Sequence, residues 1–530
     1  MNRLGKLVTL LTLAALFALP AAAGAQGKRG GILDINNYAD PSRLDPHTES
    51  SLSSLLAVAG VYSQLLMVDP EKPTEVVPDL AERYEVSRDG KTYTFHLRRG
   101  VKWHDGVPFT AADVKATMDR LLDPGFRGPR CAAMLKPMVD RFEVLDDSTV
   151  RFTLKDSFPT FLNSIGSGWC LIAAKHILQR DGDLVQAKSQ IGTGPFKFKR
   201  YVRDNVIEWE RNPAYYDPRY PYLDGVRIFI LKDGSRRTFA AKSGQLHFQV
   251  YPPLSEREMQ ELRRQRGDAL EFRKWPEGSV WTVHFNTTKP PFDKRDLRWA
   301  VFLALNRQEL IRKAYDNLGL PCVVLDPQIY GEFALSPDEV NKTPGCRQPK
   351  EADVEEARRL VARHYPSGLD IEVSGRAAAN NLDDTQLVAA ELNRIGIRTT
   401  VKALEGASAF KAYAEGNFTL IGAQINTPSL NEPTSLFDLI YHSTGSRNYG
   451  QFKDAKMDRL IDQARREPDV AKRRAIYHEL QRYILTEEPG GGVIVGAPYG
   501  YFFIDRRVRN LQLAPNLYSN NTFMKVWLDQ

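Results

Sequence analysis

An α/β protein of more than one lobe is what this sequence predicts, on three observations. Alternating hairpin strands and a βαβ unit occur in the same chain. At 530 residues the chain is long for a single core, since about 150 residues per domain is the ordinary expectation. Hydrophobic residues make up 42% and charged residues 26%, ordinary globular values that exclude a disordered, collagen-like or polytopic membrane chain.

The elements follow in order. Residues 31–38 read as a strand and 52–66 as a helix. Asp89-Gly90 is a hairpin turn between alternating runs, with Tyr93, Phe95 and Leu97 on one face. Thr110 and Asp113 form a capping box that opens a helix burying Val114, Met118 and Leu121. A second hairpin turns at Asp146-Asp147-Ser148, and a third follows the loop that starts at Ile191. Asp293 is expected to cap one long helix running to Tyr315, with Leu297, Val301 and Leu305 on its apolar side. Residues 369–375, 385–396 and 397–404 read strand, helix, strand. Amphipathic helices are expected around Lys456–Arg466 and Ala471–Leu485, and the run 490–504 is strand-like.

Residues 1–25 read as a secretory signal peptide. Arg3 and Lys6 make the positive start, Leu7 to Leu19 the apolar stretch, and Ala23-Gly24-Ala25 the small-residue cleavage site. No cysteine lies near that site, so no lipid anchor is expected, and the mature protein should be exported, starting at Gln26. Four cysteines suit an oxidising compartment. Cys322 and Cys346 bracket a loop rich in Pro, Asp and Gly and are expected to pair, which leaves Cys131 with Cys170. The net charge of +7 is spread without dense Lys/Arg runs, so nucleic acid is not an expected partner.

Catalytic signatures are missing. There is no G-x-S-x-G elbow and no H-E-x-x-H, and Gly192-Thr193-Gly194 runs into Pro195, unlike a phosphate loop. No cofactor, metal or enzymatic activity is expected.

Residues 78–114 carry a long and specific pattern. It comprises Leu80-Ala81, Asp89-Gly90, the F-x-L-R of Phe95–Arg98, Trp103-His104-Asp105-Gly106, and Pro108-Phe109-Thr110 before Asp113-Val114. On this pattern the chain resembles the family 5 extracellular solute-binding proteins of ABC importers, the dipeptide-, oligopeptide- and nickel-binding proteins. Leu44–His47, Gly192–Phe196, Arg211-Asn212-Pro213 with Tyr215-Tyr216, Phe285-Asn286 and Phe292 with Leu297-Arg298 and Ala300 extend the resemblance over nearly all of the mature chain. It implies a class II periplasmic-binding-protein fold: two lobes joined by a hinge, with an extra domain beside the first lobe. Residues 26–55, 192–285 and 496–530 are then expected in the first lobe, 56–191 in the extra domain and 286–495 in the second lobe. The implied function is a monomeric periplasmic subunit that captures a peptide, or a peptide-like or carboxylated solute, between its lobes. It would hand that solute to an inner-membrane permease driven by ATPases. A solute-sensing or chaperone-like role with the same fold, or a secreted hydrolase, are the alternatives.

Peptide-binding members carry a G-W-x-x-D-like segment whose Asp meets the peptide's ammonium group. Here the segment reads Gly422-Ala423-Gln424-Ile425-Asn426, with Asn426 at the Asp position. Asn431-Glu432-Pro433 offers a carboxylate if the register slips. Arg376, at the end of the first βαβ strand, is the expected partner of a ligand carboxylate, because a guanidinium fork matches that group. Gln424, Asn426 and Arg447 join it as expected ligand contacts, as do Asn37, Tyr38 and Asp40 near the first strand and Trp281 before the crossover. Trp169 is a weaker candidate, and His284 is expected on the face opposite Trp281. The lost Asp and retained Arg lead to an expected anionic or neutral ligand.

Overall fold

The computed structural model describes residues 27–69, 72, 75–377, 381–430, 432–512 and 522–529. The expected signal peptide, its cleavage after Ala25 and Asn431 lie outside the described residues.

Local signals fold as expected where the chain satisfies itself locally. The hairpin Ala81–Val86/Thr92–Leu97 turns through Gly90 at φ 67°, and Val139–Asp146/Thr149–Leu154 turns where the Ser148 amide donates to Asp146 Oδ1 at 2.8 Å. Together they make a four-stranded antiparallel sheet. The capping box closes reciprocally: the Thr110 amide donates to Asp113 Oδ2 at 2.9 Å, and the Ala112 amide to Thr110 Oγ1 at 3.3 Å. The helix Ala111–Leu122 then buries Val114, Met118 and Leu121. Both disulfides form as expected, Cys131–Cys170 with a Cα–Cα distance of 5.2 Å and Cys322–Cys346 with 5.8 Å.

Two helices are shorter than the apolar spacing suggests. The expected helix over 52–66 is Leu52–Val58. Beyond it the Val61 carbonyl accepts from the Gly194 amide and the Gly60 carbonyl from the Phe196 amide, so these groups are unavailable to a helix ladder. That close approach explains Gly192, where a Cβ would lie 1.9 Å from the Val61 oxygen. The expected helix from Asp293 to Tyr315 is two helices, Arg295–Ala304 and Arg307–Ala314. Leu305 is extended, and Asn306 caps the second helix by accepting from the Glu309 amide. Arg307, 2% exposed, turns inward and donates to the carbonyls of Phe302, Gly345 and Ile494. The apolar stripe continues across a break that these hydrogen bonds impose.

The remaining strands form two lobes. In the first lobe Ile32–Asn37 runs parallel to Gly225–Ile230, which pairs antiparallel with Val206–Arg211 and, through it, Phe196–Val202. Bridges from Ile35 to Phe248 and from Phe248 to Ile504 carry this sheet to the strand Gly492–Asp505. The second lobe holds the βαβ unit Leu369–Arg376, Asn381–Asn393 and Ile397–Leu404, with Leu420–Asn426 and Val280–Phe285 beside it. Gly492–Asp505 belongs to both lobes. Its first part, Gly492–Gly496, pairs with Val280–Phe285, and its last part, Tyr499–Asp505, pairs with Leu270–Pro276. The chain therefore crosses between lobes twice, near Pro276–Val280 and near Gly496–Tyr499. One buried core serves the first lobe and the antiparallel sheet together, and a second serves the lobe around Phe285, Leu297 and Val373.

Candidate functional site

The two crossings and the ends of the second-lobe strands leave a cavity of about 340 Å³ between the lobes, within the range of about 300–1,000 Å³ usual for small-molecule sites. Gln249, Tyr251 and Tyr499 line it with the first-lobe arginine Arg237; Tyr315, Arg376, Asn381, Asp384 and Ile425 line it from the second lobe; Glu277 comes from a crossing. Placement at strand ends and at a hinge follows from the fold, because the strand ends and crossover loops are where side chains face an interlobe gap.

Arg376 is where its position at the end of Leu369–Arg376 puts it, in the cavity wall. Its guanidinium lies over the Phe410 ring, 5.0 Å from the centroid. It has no ion-pair partner among the described residues, and its Nε has no hydrogen-bond partner. Burial, together with the positive charge of Arg447, lowers its pKa. An arginine held this way lacks an anion.

Asn426 and Arg447 meet each other rather than the cavity. Asn426 is fully buried; its Nδ2 donates to Thr282 Oγ1 at 2.6 Å and its Oδ1 accepts from Arg447 Nη1 at 2.9 Å. Arg447 also donates to the Ile425 carbonyl at 3.0 Å. The Thr282 oxygen lies 2.8 Å from His284 Nε2 and 3.1 Å from the Gln424 carbonyl oxygen. Burial, then the Arg447 charge, pushes His284 down to about 3, so the ring is neutral at physiological pH. Gln424 is 1% exposed and donates to the Ile425 carbonyl, while its Oε1 has no partner. The alternative carboxylate, Glu432, caps the helix Pro433–Ile440 and accepts from Tyr477. It does not line the cavity.

The first-strand candidates divide. Asn37 is buried and donates to the Ser53 carbonyl at 2.9 Å. Asp40 accepts from Tyr201 and from the Asp204 amide and is 2.7 Å from Lys232. Burial alone would raise its pKa, but those bonds outweigh it and hold the carboxyl far below the usual range. Tyr38 packs edge-on against the cavity-lining Tyr251 at 5.2 Å. Trp281 is fully buried one layer behind the wall, its ring 5.9 Å from that of Tyr315. Trp169 is buried too, with the Arg130 guanidinium 5.4 Å from its ring centroid.

Sequence reasoning missed two cavity carboxylates. Glu277, in Pro276-Glu277-Gly278-Ser279, reads as an exposed turn by composition, yet it is 9% exposed because the crossing runs between the lobes. Asp384 reads as a helix-start acid, and it is 3% exposed in the first turn of Asn381–Asn393. Burial and the neighbouring Asp384 charge push Glu277 up to about 7. Burial likewise pushes Asp384 up to about 7, against a hydrogen bond from the Tyr315 hydroxyl at 3.4 Å. No local signal in the sequence separates these two from the chain's other acids; only the crossing geometry does.

Comparison with known proteins places this geometry. The family model for bacterial extracellular solute-binding proteins, family 5 Middle, matches residues 75–448. The probable deoxycholate-binding periplasmic protein YgiS of Escherichia coli K12 is 26% identical over 486 residues, 86% of this chain and 86% of that one. The di/tripeptide-binding protein 1 of Pseudomonas aeruginosa is 27% identical over 475 residues, 85% of this chain and 86% of its own. Among solved structures, the ABC transporter-associated periplasmic binding protein DppA from Helicobacter pylori, in complex with the peptide STSA, superposes with a TM-score of 0.82 at 25% identity, covering 95% of this chain and 99% of that one.

Proposed function

Because the chain belongs to the bacterial extracellular solute-binding proteins of family 5, we infer that it captures a small peptide or peptide-like, carboxylated solute between its lobes and delivers it to an inner-membrane ABC permease. Arg376 carries the reading: a cationic fork in the wall of an interlobe cavity, with no anion of its own among the described residues. A carboxylate entering the cavity would complete its bonding, and charged hydrogen bonds of this kind are the strong ones. The di/tripeptide- and peptide-bound relatives support a peptide as that carboxylate's carrier, and a cavity of about 340 Å³ suits a short one.

The protein performs no chemistry in this reading. Lobe closure around the solute is the event the permease detects. The mature chain works in the periplasm as a monomer beginning at Gln26, and no helix among the described residues is long and apolar enough to cross a membrane. Native mass spectrometry of protein taken from the periplasm tests both parts. The expected result is an intact mass starting at Gln26 and a co-purified small solute, followed by calorimetric binding of carboxylated di- or tripeptides. Retention of residues 1–25, or tight binding only of solutes that lack an anionic group, overturns it.

A further inference from the structure

Arg376 accounts for one end of a solute; the same cavity also asks for something of the other sign. Three buried acceptors in it are short of donors among the described residues. Glu277, 9% exposed, makes no side-chain hydrogen bond and no ion pair among the described residues. Asp384, 3% exposed, has only the long contact from the Tyr315 hydroxyl, 3.4 Å. Gln249, 3% exposed, commits its amide nitrogen to the Pro252 carbonyl and leaves Oε1 without a partner. All three line the same cavity.

The other charges in the wall do not answer them. Arg237 is held by the carbonyls of Leu231 and Lys232, and Glu258 by the capping box at Ser255. Asp316 lies at the exposed rim. Arg376 makes no ion pair with either carboxylate among the described residues, so its charge leaves both unmatched. An unpaired buried carboxylate is costly, and here two lie close enough to repel each other.

We propose that Glu277, Asp384 and the Gln249 amide oxygen form a cation-recognition subsite that takes an ammonium or guanidinium group of the solute while Arg376 takes its carboxylate. The solute class is therefore amphoteric, and its cationic end is read at the interlobe crossing rather than at Asn426. This rests on the capture of a peptide-like solute inferred above.

The test is calorimetry on the mature protein with a panel of di- and tripeptides, the same peptides N-acetylated, and the non-peptide cations agmatine and putrescine. Wild type is expected to bind at least one cationic member, and to bind its acetylated form at least tenfold more weakly when the α-ammonium is the only cation. Glu277→Gln and Asp384→Asn together should weaken the cationic member by about thirtyfold, while the variant keeps its melting temperature or gains. Acetylated and free peptides binding alike, equal affinity in the double variant, or no retention of any cationic member at millimolar concentration overturns the subsite. Binding of agmatine or putrescine but of no peptide, abolished in the double variant, upholds the cation subsite and overturns both the amphoteric solute class and the peptide reading.

Discussion

Two sets of buried polar side chains flank the interlobe cavity, and they differ in whether the fold satisfies them. Around Asn426 the charged and titratable groups are answered: Thr282 and Arg447 take its amide, His284 is neutral, Arg447 reaches a carbonyl as well, and only the uncharged Gln424 Oε1 is left over. Around Glu277, the groups face a cavity with their hydrogen-bonding capacity unmet. Buried polar groups are ordinarily paired, so the first set reads as architecture and the second as a site prepared for something that arrives. The lesson is that position in a family pattern and burial in a cleft are weaker guides to ligand contact than an unpaired donor or acceptor.

The largest expected effect sharpens that contrast through pH. Glu277 has a folded-state pKa of about 7 against an ordinary 4.5. Below the ordinary value the carboxyl is protonated in both states, and the stability this contributes is fully present. As pH rises through about 7 the folded protein must ionise a buried group that the unfolded chain has already ionised, and the contribution is lost. Glu277→Gln should therefore be more stable than wild type at pH 8, by about 3 kcal/mol at most, and equal to it at pH 4. Urea unfolding at the two pH values checks it. Wild type matching the variant at pH 8 would mean that the folded protein already supplies a partner for this carboxylate.

Asn426→Ala works in the other direction. Removing the amide leaves Thr282 and Arg447 short of a partner, at a cost of about 2 kcal/mol in stability. Solute affinity should change less than in Arg376→Ala, once both are measured well below the melting temperature. A variant that keeps its stability but no longer binds would move Asn426 from architecture to the site.

Arg376→Ala should keep or raise the melting temperature, since it removes a half-buried charge without an anion. It should also weaken binding of a carboxylated peptide by about thirtyfold, or about 2 kcal/mol. Amidating the peptide's carboxylate should reproduce the loss on wild type and add little on the variant. Unchanged affinity in Arg376→Ala would leave a cleft that selects by shape.

Much of this fold was legible from sequence because its signals are local. Asp89-Gly90, the Thr110/Asp113 box, the βαβ unit at 369–404 and both disulfides depend on residues close in the chain or on cysteine number alone. The helix break at Leu305-Asn306 was not legible, because it is imposed by carbonyls as distant as Ile494 and Gly345 that recruit Arg307. The site divides in the same way. Arg376 was legible as a strand-end residue, while Asn37, Asp40 and Asn426 look equally polar in sequence and prove to be tied into the fold. Glu277 is hidden for the complementary reason. A Pro-Glu-Gly-Ser turn is exposed in most proteins, and only a second strand crossing beside it buries it here, where its backbone amide donates to the Pro498 carbonyl.

The smallest expected effect lies outside the cavity lining, at a hydrogen bond in which neither set of polar groups is involved. Arg130, beside the Cys131–Cys170 disulfide, donates to Ser429 Oγ at 2.8 Å and to the Ser50 carbonyl at 3.0 Å. Ser429 follows the strand Leu420–Asn426, so the first of these bonds joins the segment held by the Cys131–Cys170 disulfide to the second lobe. A contact that exists only when the lobes are together biases the closed state by no more than its own free energy, about 1 kcal/mol for one hydrogen bond. Ser429→Ala removes this bond and leaves Arg130 its carbonyl partner and its place over Trp169. Affinity should fall by about fivefold, and by the same factor for a free peptide and for its acetylated or amidated form, because the bond is indifferent to which solute fills the cavity. Glu277→Gln and Arg376→Ala, in contrast, should each discriminate between those forms. A Ser429→Ala effect that depended on the solute's charge would place Arg130 within reach of the ligand, and the division between a contact that holds the lobes and a wall that recognises the solute would have to be redrawn.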